Sequence, residues 1–146
     1  MIRYLVNPDL RFCAMIPDYP TLTEEARAVL PTQLSYQDAI FQMGRCAALA
    51  KGLEIGNPLI IRKACKDKMH QPYRKSLIKE YDEVDAICKK HDVLAWYISG
   101  SGSTMMAIVE GDYQAEKLLK EIKDTYPSWS VMNLEVDRKG AQVLED

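Results

Sequence analysis

The order of apolar runs and helix signals along the 146 residues predicts an α+β sandwich, with helices laid against one antiparallel sheet. Three observations carry this. The runs read strand, several helices, strand, strand, helix, strand, which is not the regular alternation of a doubly wound sheet. Two apolar runs, residues 93–98 and 105–109, flank a short Gly/Ser segment, as an antiparallel pair with a tight connection does. The length suffices for one domain with a real core and is too short to expect two, so residues 1–146 are read as a single domain.

The first strand is the run Leu10-Arg11-Phe12-Cys13-Ala14-Met15-Ile16, closed by Pro17 and Pro20, which force a turn or an extended exit. Residues 21–30 open with capping hydroxyls and the first-turn acids Glu24 and Glu25 and stop at Pro31, which makes a short helix with Arg27 in its middle. Ser35-Tyr36-Gln37-Asp38 resembles a capping box and starts a longer helix, in which Ile40, Met43, Ala47, Ala50 and Leu53 form a stripe expected to be core, before Gly56. Asn57-Pro58 is a second start, an N-cap followed by proline at the first helical position, for a helix running towards Met69. Pro72 disfavours helix at Gln71, so His70, Tyr73 and Arg74 are expected on a loop.

Residues 77–91 read as a helix with Leu77, Tyr81, Val84 and Ile87 on one stripe and most charges off it. After the strand pair at 93–98 and 105–109, Asp112 is positioned to cap a helix whose apolar positions are Ala115, Leu118, Leu119 and Ile122. Residues 129–136 alternate imperfectly, as a half-buried strand does. There is no internal repeat and no linker.

A composition of 47% hydrophobic and 27% charged residues excludes disorder, and no run approaches the roughly 20 apolar residues of a bilayer span, so a soluble chain without a membrane partner is expected. The net charge of −2, from 19 basic and 21 acidic residues, provides no field for a nucleic acid. Any anion has to be held locally. Cys13, Cys46, Cys65 and Cys88 lack metal-ligand spacing and read as reduced core residues, and His70 and His91 stand near no such pair, so no metal site is assigned. The free thiols and an N-terminus without signal-peptide character point to the cytoplasm.

The segment Ser99-Gly100-Ser101-Gly102-Ser103-Thr104 has two physical readings. It is a hairpin connection, or a loop whose glycines and free N–H groups cradle an anion. Arg27 and Arg74 carry planar guanidinium forks that match a carboxylate or phosphate in bidentate fashion, and equally serve as solvated surface charges.

The phrases TEEARAVLP at 23–31, HQPYR at 70–74, SGSGST at 99–104 and GAQVL at 140–144 resemble, in order and spacing, the C-terminal half of homoserine kinases. These belong to the GHMP superfamily of small-molecule kinases, with galactokinase and mevalonate kinase. The resemblance covers nearly the whole chain, from about Asn7 to Asp146. It implies a ferredoxin-like C-terminal domain, an antiparallel sheet of about four strands with helices on one face. It implies ATP-dependent phosphorylation of L-homoserine to O-phospho-L-homoserine in threonine biosynthesis, with Mg²⁺. It also implies that Arg27, Arg74 and Gly102 bind substrate, and that Gly100, Ser101, Gly102 and Ser103 form a loop near the phosphates. No catalytic residue is assigned within the chain.

Two departures accompany the resemblance. The family's N-terminal domain, with its Pro-x-x-x-Gly-Leu-Gly-Ser-Ser-Ala phosphate motif, has no counterpart between Met1 and Asp146. The chain alone is therefore expected to bind no cofactor tightly, to be inactive, to need that domain as its partner, and to self-associate through exposed apolar or sheet-edge surface. Ser103 stands where the family usually has proline, which loosens the loop's φ constraint without removing donors. A non-catalytic α+β module that binds an amino acid is the competing expectation.

Overall fold

The computed structural model describes residues 4–140. The start Met1-Ile2-Arg3 and residues 141–144 of the last phrase lie outside the described residues. Four strands, β1 (Leu10–Ile16), β2 (Ala95–Ile98), β3 (Met105–Glu110) and β4 (Ser130–Leu134), form one antiparallel sheet in the order β2-β3-β1-β4. Helices α1 (Thr23–Ala28), α2 (Tyr36–Ile55), α3 (Pro58–Ala64), α4 (Gln71–Arg74) and α5 (Tyr81–Lys90) lie between β1 and β2, and α6 (Gly111–Thr125) joins β3 to β4. The central strands are β1 and β3, the order of a ferredoxin-like sandwich.

The period-2 alternation of the strands sorts the core into two sets. Cys13 and Met15 of β1, with Met105, Ala107 and Val109 of β3, face α5 and α6 and meet Val84, Cys88, Ala115, Leu118, Leu119 and Ile122. The four apolar positions expected on α6 are all buried. On the opposite face Leu10, Ala95 and Ile108 pack under Ile61 of α3 and Leu53 near the end of α2. The main helical layer thus covers one face, and a smaller cluster anchors α2 and α3 against a corner of the other.

Helix boundaries follow their caps. The Ser35 hydroxyl accepts the Asp38 N–H at 3.0 Å, and Gly56 ends α2 at φ 64°. The Asn57 side chain accepts the Ile60 N–H at 3.0 Å, with Pro58 in the first turn of α3. Other boundaries differ from expectation. Leu22 caps α1 without a side-chain bond. Helix α3 stops at Ala64 instead of approaching Met69, because the Asp67 carboxylate takes the N–H groups of Met69, His70 and Gln71 and starts a new turn. That turn is α4, so His70-Gln71-Pro72-Tyr73-Arg74 is not an open loop; Pro72 sits in the first turn, where no N–H is required. Residues 75–77 form a 3₁₀ turn and α5 begins only at Tyr81, so Ile78, not Leu77, is the buried residue there.

The stripe on α2 is the largest correction. Ile40 and Met43 are 55% and 72% exposed and Ala47 is exposed, because only the C-terminal turns of α2 reach the core; Gly52 is its one buried residue, pressed against Ile60. Cys46, on the same free portion, is exposed, whereas Cys13 and Cys88 are buried, and all four cysteines are free. Asp112 does not cap α6. Glu110 holds that position, and the Asp112 carboxylate instead receives Nε–H and Nη2–H of Arg11 and the amide of Asn133.

The two sheet edges are treated differently. On β2, Gln71 Oε1 accepts the Ile98 N–H at 3.1 Å, while Arg62 donates to the carbonyls of Asp92 and Val93 at 2.9 and 2.8 Å. This edge is closed at both ends. Among the described residues nothing pairs with the outer edge of β4, whose Met132 and Leu134 are exposed. No helix among the described residues is long and apolar enough to cross a membrane.

Candidate functional site

The C-terminal end of β1, the β2–β3 connection and the α4 turn meet at one end of the sheet. The connection is a hairpin: Ser99 donates to the Thr104 carbonyl at 2.9 Å and Gly102 to Ser99 at 3.1 Å, with Met105 paired to both Ile98 and Met15. Gly100 and Gly102 have φ of 59° and 88°, conformations that side chains of L-residues rarely take. Among the described residues the N–H groups of Gly100 and Ser101 donate to no protein acceptor. The loop is therefore a hairpin connection, with two unused donors at its tip among the described residues.

The loop's other residues are committed to the fold. Ser103 is 5% exposed and its hydroxyl donates to the Tyr19 carbonyl, so the serine tethers the loop to the segment between β1 and α1. Tyr19 is held in turn: its hydroxyl donates to Glu80 and accepts the Lys79 N–H, and burial, then the Glu80 carboxylate, pushes its phenol up to about 12. A Cβ at Gly102 would lie 3.4 Å from Ile98, 3.5 Å from Ile78 and 3.6 Å from Thr21, ordinary contact distances, so it is the positive φ and not a lack of space that calls for glycine at the loop's base. Ser101 makes only a long bond, 3.4 Å, to the Gly102 carbonyl.

Arg74 joins three of these pieces. Its Nε–H donates to the Ala26 carbonyl at 3.0 Å and its Nη1–H to the Gly100 carbonyl at 2.7 Å. The guanidinium thereby ties α4 to the last turn of α1, which carries Arg27, and to the loop tip. Arg27 is exposed, and among the described residues its guanidinium makes no hydrogen bond or ion pair. Of the sequence-derived residues, Arg74, Gly100, Ser101, Gly102 and Ser103 are thus held together, with Arg27 presented beside them on the residue after Ala26.

A cavity of about 340 Å³ opens here, lined by Gln42, Asp67, His70, Gln71, Arg74, Tyr97, Ile98 and Gly100. It adjoins a larger one, about 650 Å³, that shares Asp67 and Gln71 and runs along the β2 edge past Tyr81, Cys88 and Trp96. Asp67 and Gln71 are the lining positions shared by both cavities that the sequence reading passed over. Burial alone would raise the Asp67 carboxyl, but the three N–H bonds from Gln71, Met69 and His70 outweigh it and hold it below the usual carboxylate range. An aspartate four residues before Gln71 was the available signal, since a short acidic side chain ahead of a proline-bearing turn is a cap.

Cys13, Cys65 and Cys88 offer no nucleophile. Burial pushes Cys13 and Cys88 up to about 12 and Cys65 to about 11, so the thiolate is scarce at neutral pH. Among the described residues no group of three or more His, Cys, Asp or Glu could hold a metal ion. The chemistry available is recognition by guanidinium forks and loop amides.

The family described as GHMP kinases C terminal matches residues 47–128, a stretch that contains Arg74 and the whole loop; Arg27 precedes it. Homoserine kinase of Clostridium botulinum (strain Kyoto / Type A2) is 39% identical over 140 residues, covering 94% of this chain and 47% of that protein. Homoserine kinase of Caldicellulosiruptor saccharolyticus is 34% identical over 147 residues, covering 98% of this chain and 48% of its own length. Among solved structures, a homoserine kinase from Cytophaga hutchinsonii superimposes with a TM-score of 0.86 at 25% identity, over 92% of this chain and 44% of that one. The chain spans about half the length of the curated relatives it matches.

Proposed function

Because this chain belongs to the family of GHMP kinase C-terminal domains, we propose that residues 1–146 are the C-terminal domain of a homoserine kinase. Its reaction is transfer of the γ-phosphoryl group of ATP to the side-chain hydroxyl of L-homoserine. The new bond joins phosphorus to the hydroxyl oxygen, the bond to the β-phosphate oxygen breaks, and the hydroxyl proton leaves. The observation that carries this reading is the Arg74 bridge. It ties α1 to α4 and the glycine loop, and Arg74 and Gly100 themselves line a cavity of small-molecule size.

In this reading Arg27, unengaged within the fold, grips the substrate carboxylate with a bidentate fork, and the remaining Arg74 N–H groups flank it. The free amides of Gly100 and Ser101 face the anionic groups near the transfer, supplying fixed donors where charge develops. Holding both reactants in place is what phosphoryl transfer demands of a protein. Mg²⁺, which neutralises charge on the transferring group, finds no fitting donor set among the described residues.

The remaining wall of the cleft is assigned to an N-terminal ATP-binding domain. Tyr36, Ile40 and Met43 on α2, next to Gln42 in the cavity, are the exposed apolar surface it covers. The isolated chain then has no kinase turnover. Calorimetry with L-homoserine tests the reading on this chain and on Arg27→Ala and Arg74→Ala forms. Weak binding lost in both variants supports it, and binding indifferent to both overturns the assignment.

A further inference from the structure

We infer that Gln71 is the positioning residue of this site, holding Arg74 and the loop in register and walling the small cavity off from the larger one behind it. The inference rests on the homoserine-site reading only for its ligand. Its structural part stands independently.

The Gln71 carboxamide is used at both ends. Its Oε1 accepts the N–H of Ile98, the last residue of β2 before the loop, at 3.1 Å, and its Nε2–H donates to the Tyr81 hydroxyl on α5 at 3.0 Å. Its backbone N–H is taken by Asp67. One residue therefore fixes α4 against the strand that feeds the loop, against α5, and against the α3–α4 turn. Arg74 lies one helical turn further on, so a displacement of Gln71 moves the guanidinium away from the carbonyls of Ala26 and Gly100. Tyr81 is itself braced, its ring 4.6 Å from that of Trp96, whose indole N–H donates to Asp85. The carboxamide is anchored to a rigid aromatic pair instead of to a free side chain.

The same side chain lines both cavities. Removing it joins a space of about 340 Å³ to one of about 650 Å³ with aromatic walls. A site for a small amino acid then loses its inner limit. Gln71 touches no reacting atom in this account; it acts through Arg74 and through the depth of the pocket.

The test compares Gln71→Leu, which abolishes both hydrogen bonds at similar volume, with Gln71→Glu, which keeps an acceptor for Ile98 and accepts from the Tyr81 hydroxyl. Amide hydrogen exchange by NMR on the wild-type chain and both variants is the first readout. Gln71→Leu is expected to speed Ile98 exchange about tenfold, the size of one net hydrogen bond, and to shift the Gly100 and Ser101 resonances, with α6 amides exchanging at the wild-type rate. Gln71→Glu restores Ile98 protection. Unchanged Ile98 protection in Gln71→Leu, or acceleration equal to that across α6, overturns the inference. L-Homoserine titration is the second readout, and an affinity loss of about tenfold in Gln71→Leu with recovery in Gln71→Glu supports the role. If the wild-type chain binds no L-homoserine, the functional reading fails while the exchange data still decide the positioning role.

Discussion

Arg74 Nη1–H reaches the carbonyl of Gly100 at 2.7 Å, so the tip of the glycine loop hangs from a helix 26 residues earlier in the chain. The same guanidinium holds Ala26, next to the free Arg27. Arg74 is as much a part of the fold as of the site. Arg74→Ala should therefore cost about 1–3 kcal/mol of stability in urea unfolding as well as ligand binding. Arg74→Lys should recover little of either, because an ammonium cannot serve two separated carbonyls in the plane of a fork.

The two loop glycines separate by backbone conformation. Gly102, with φ of 88° and so well away from the left-handed helical well at about 57°, should lose about 2 kcal/mol as Gly102→Ala, although a built Cβ meets its neighbours only at ordinary contact distance. Gly100, with φ of 59° and nothing within 4 Å, should lose only about 1 kcal/mol as Gly100→Ala. Thermal denaturation of the two variants side by side checks the order.

Asp67 makes the α4 turn sensitive to acid. Its carboxyl is depressed in the folded chain below the ordinary 3.8, so its stabilisation is present above that value and is lost as pH falls through the folded value. Urea midpoints should drop below about pH 4. Asp67→Asn should lower the midpoint at pH 7 and flatten that part of the acid limb.

The exposed part of α2 and the core of α6 should respond oppositely. Leu118→Ala, emptying a fully buried position, should cost about 2–5 kcal/mol. Ile40→Ser should stay within about 0.5 kcal/mol in this chain, since Ile40 is on the surface. Co-expression with the N-terminal half of a homoserine kinase should reveal its cost, as weaker association in a pull-down.

The fold was legible wherever a local signal coincided with burial. The β1 run, the Ser35 and Asn57 caps and the α6 stripe each appear as read, because caps and periodicity act over a few residues. The α2 stripe misled, since periodicity marks an apolar face without saying whether this chain supplies its cover. Pro72 misled in the other direction: the rule against proline inside helices does not apply in a first turn, and the Asp67 carboxylate that opens this one, bonded to N–H groups two to four residues on, is a local signal that went unread. The residues of the glycine loop and Arg74 were legible as a group. Their dependence on Gln71 was not, because both of its partners, Ile98 and Tyr81, are distant in sequence and bind it by a carboxamide that carries no pattern.

Closing one rim of the sheet also sets how far any assembly can grow. Among the described residues Gln71 and Arg62 cap the two ends of the β2 side, so strand-to-strand joining is favoured at β4, and a chain with one readier side tends to a valence of one. Two copies meeting through β4 would satisfy each other about a twofold axis and stop. A fibre built by adding strands would also require the β2 rim, whose two ends this chain caps with its own side chains.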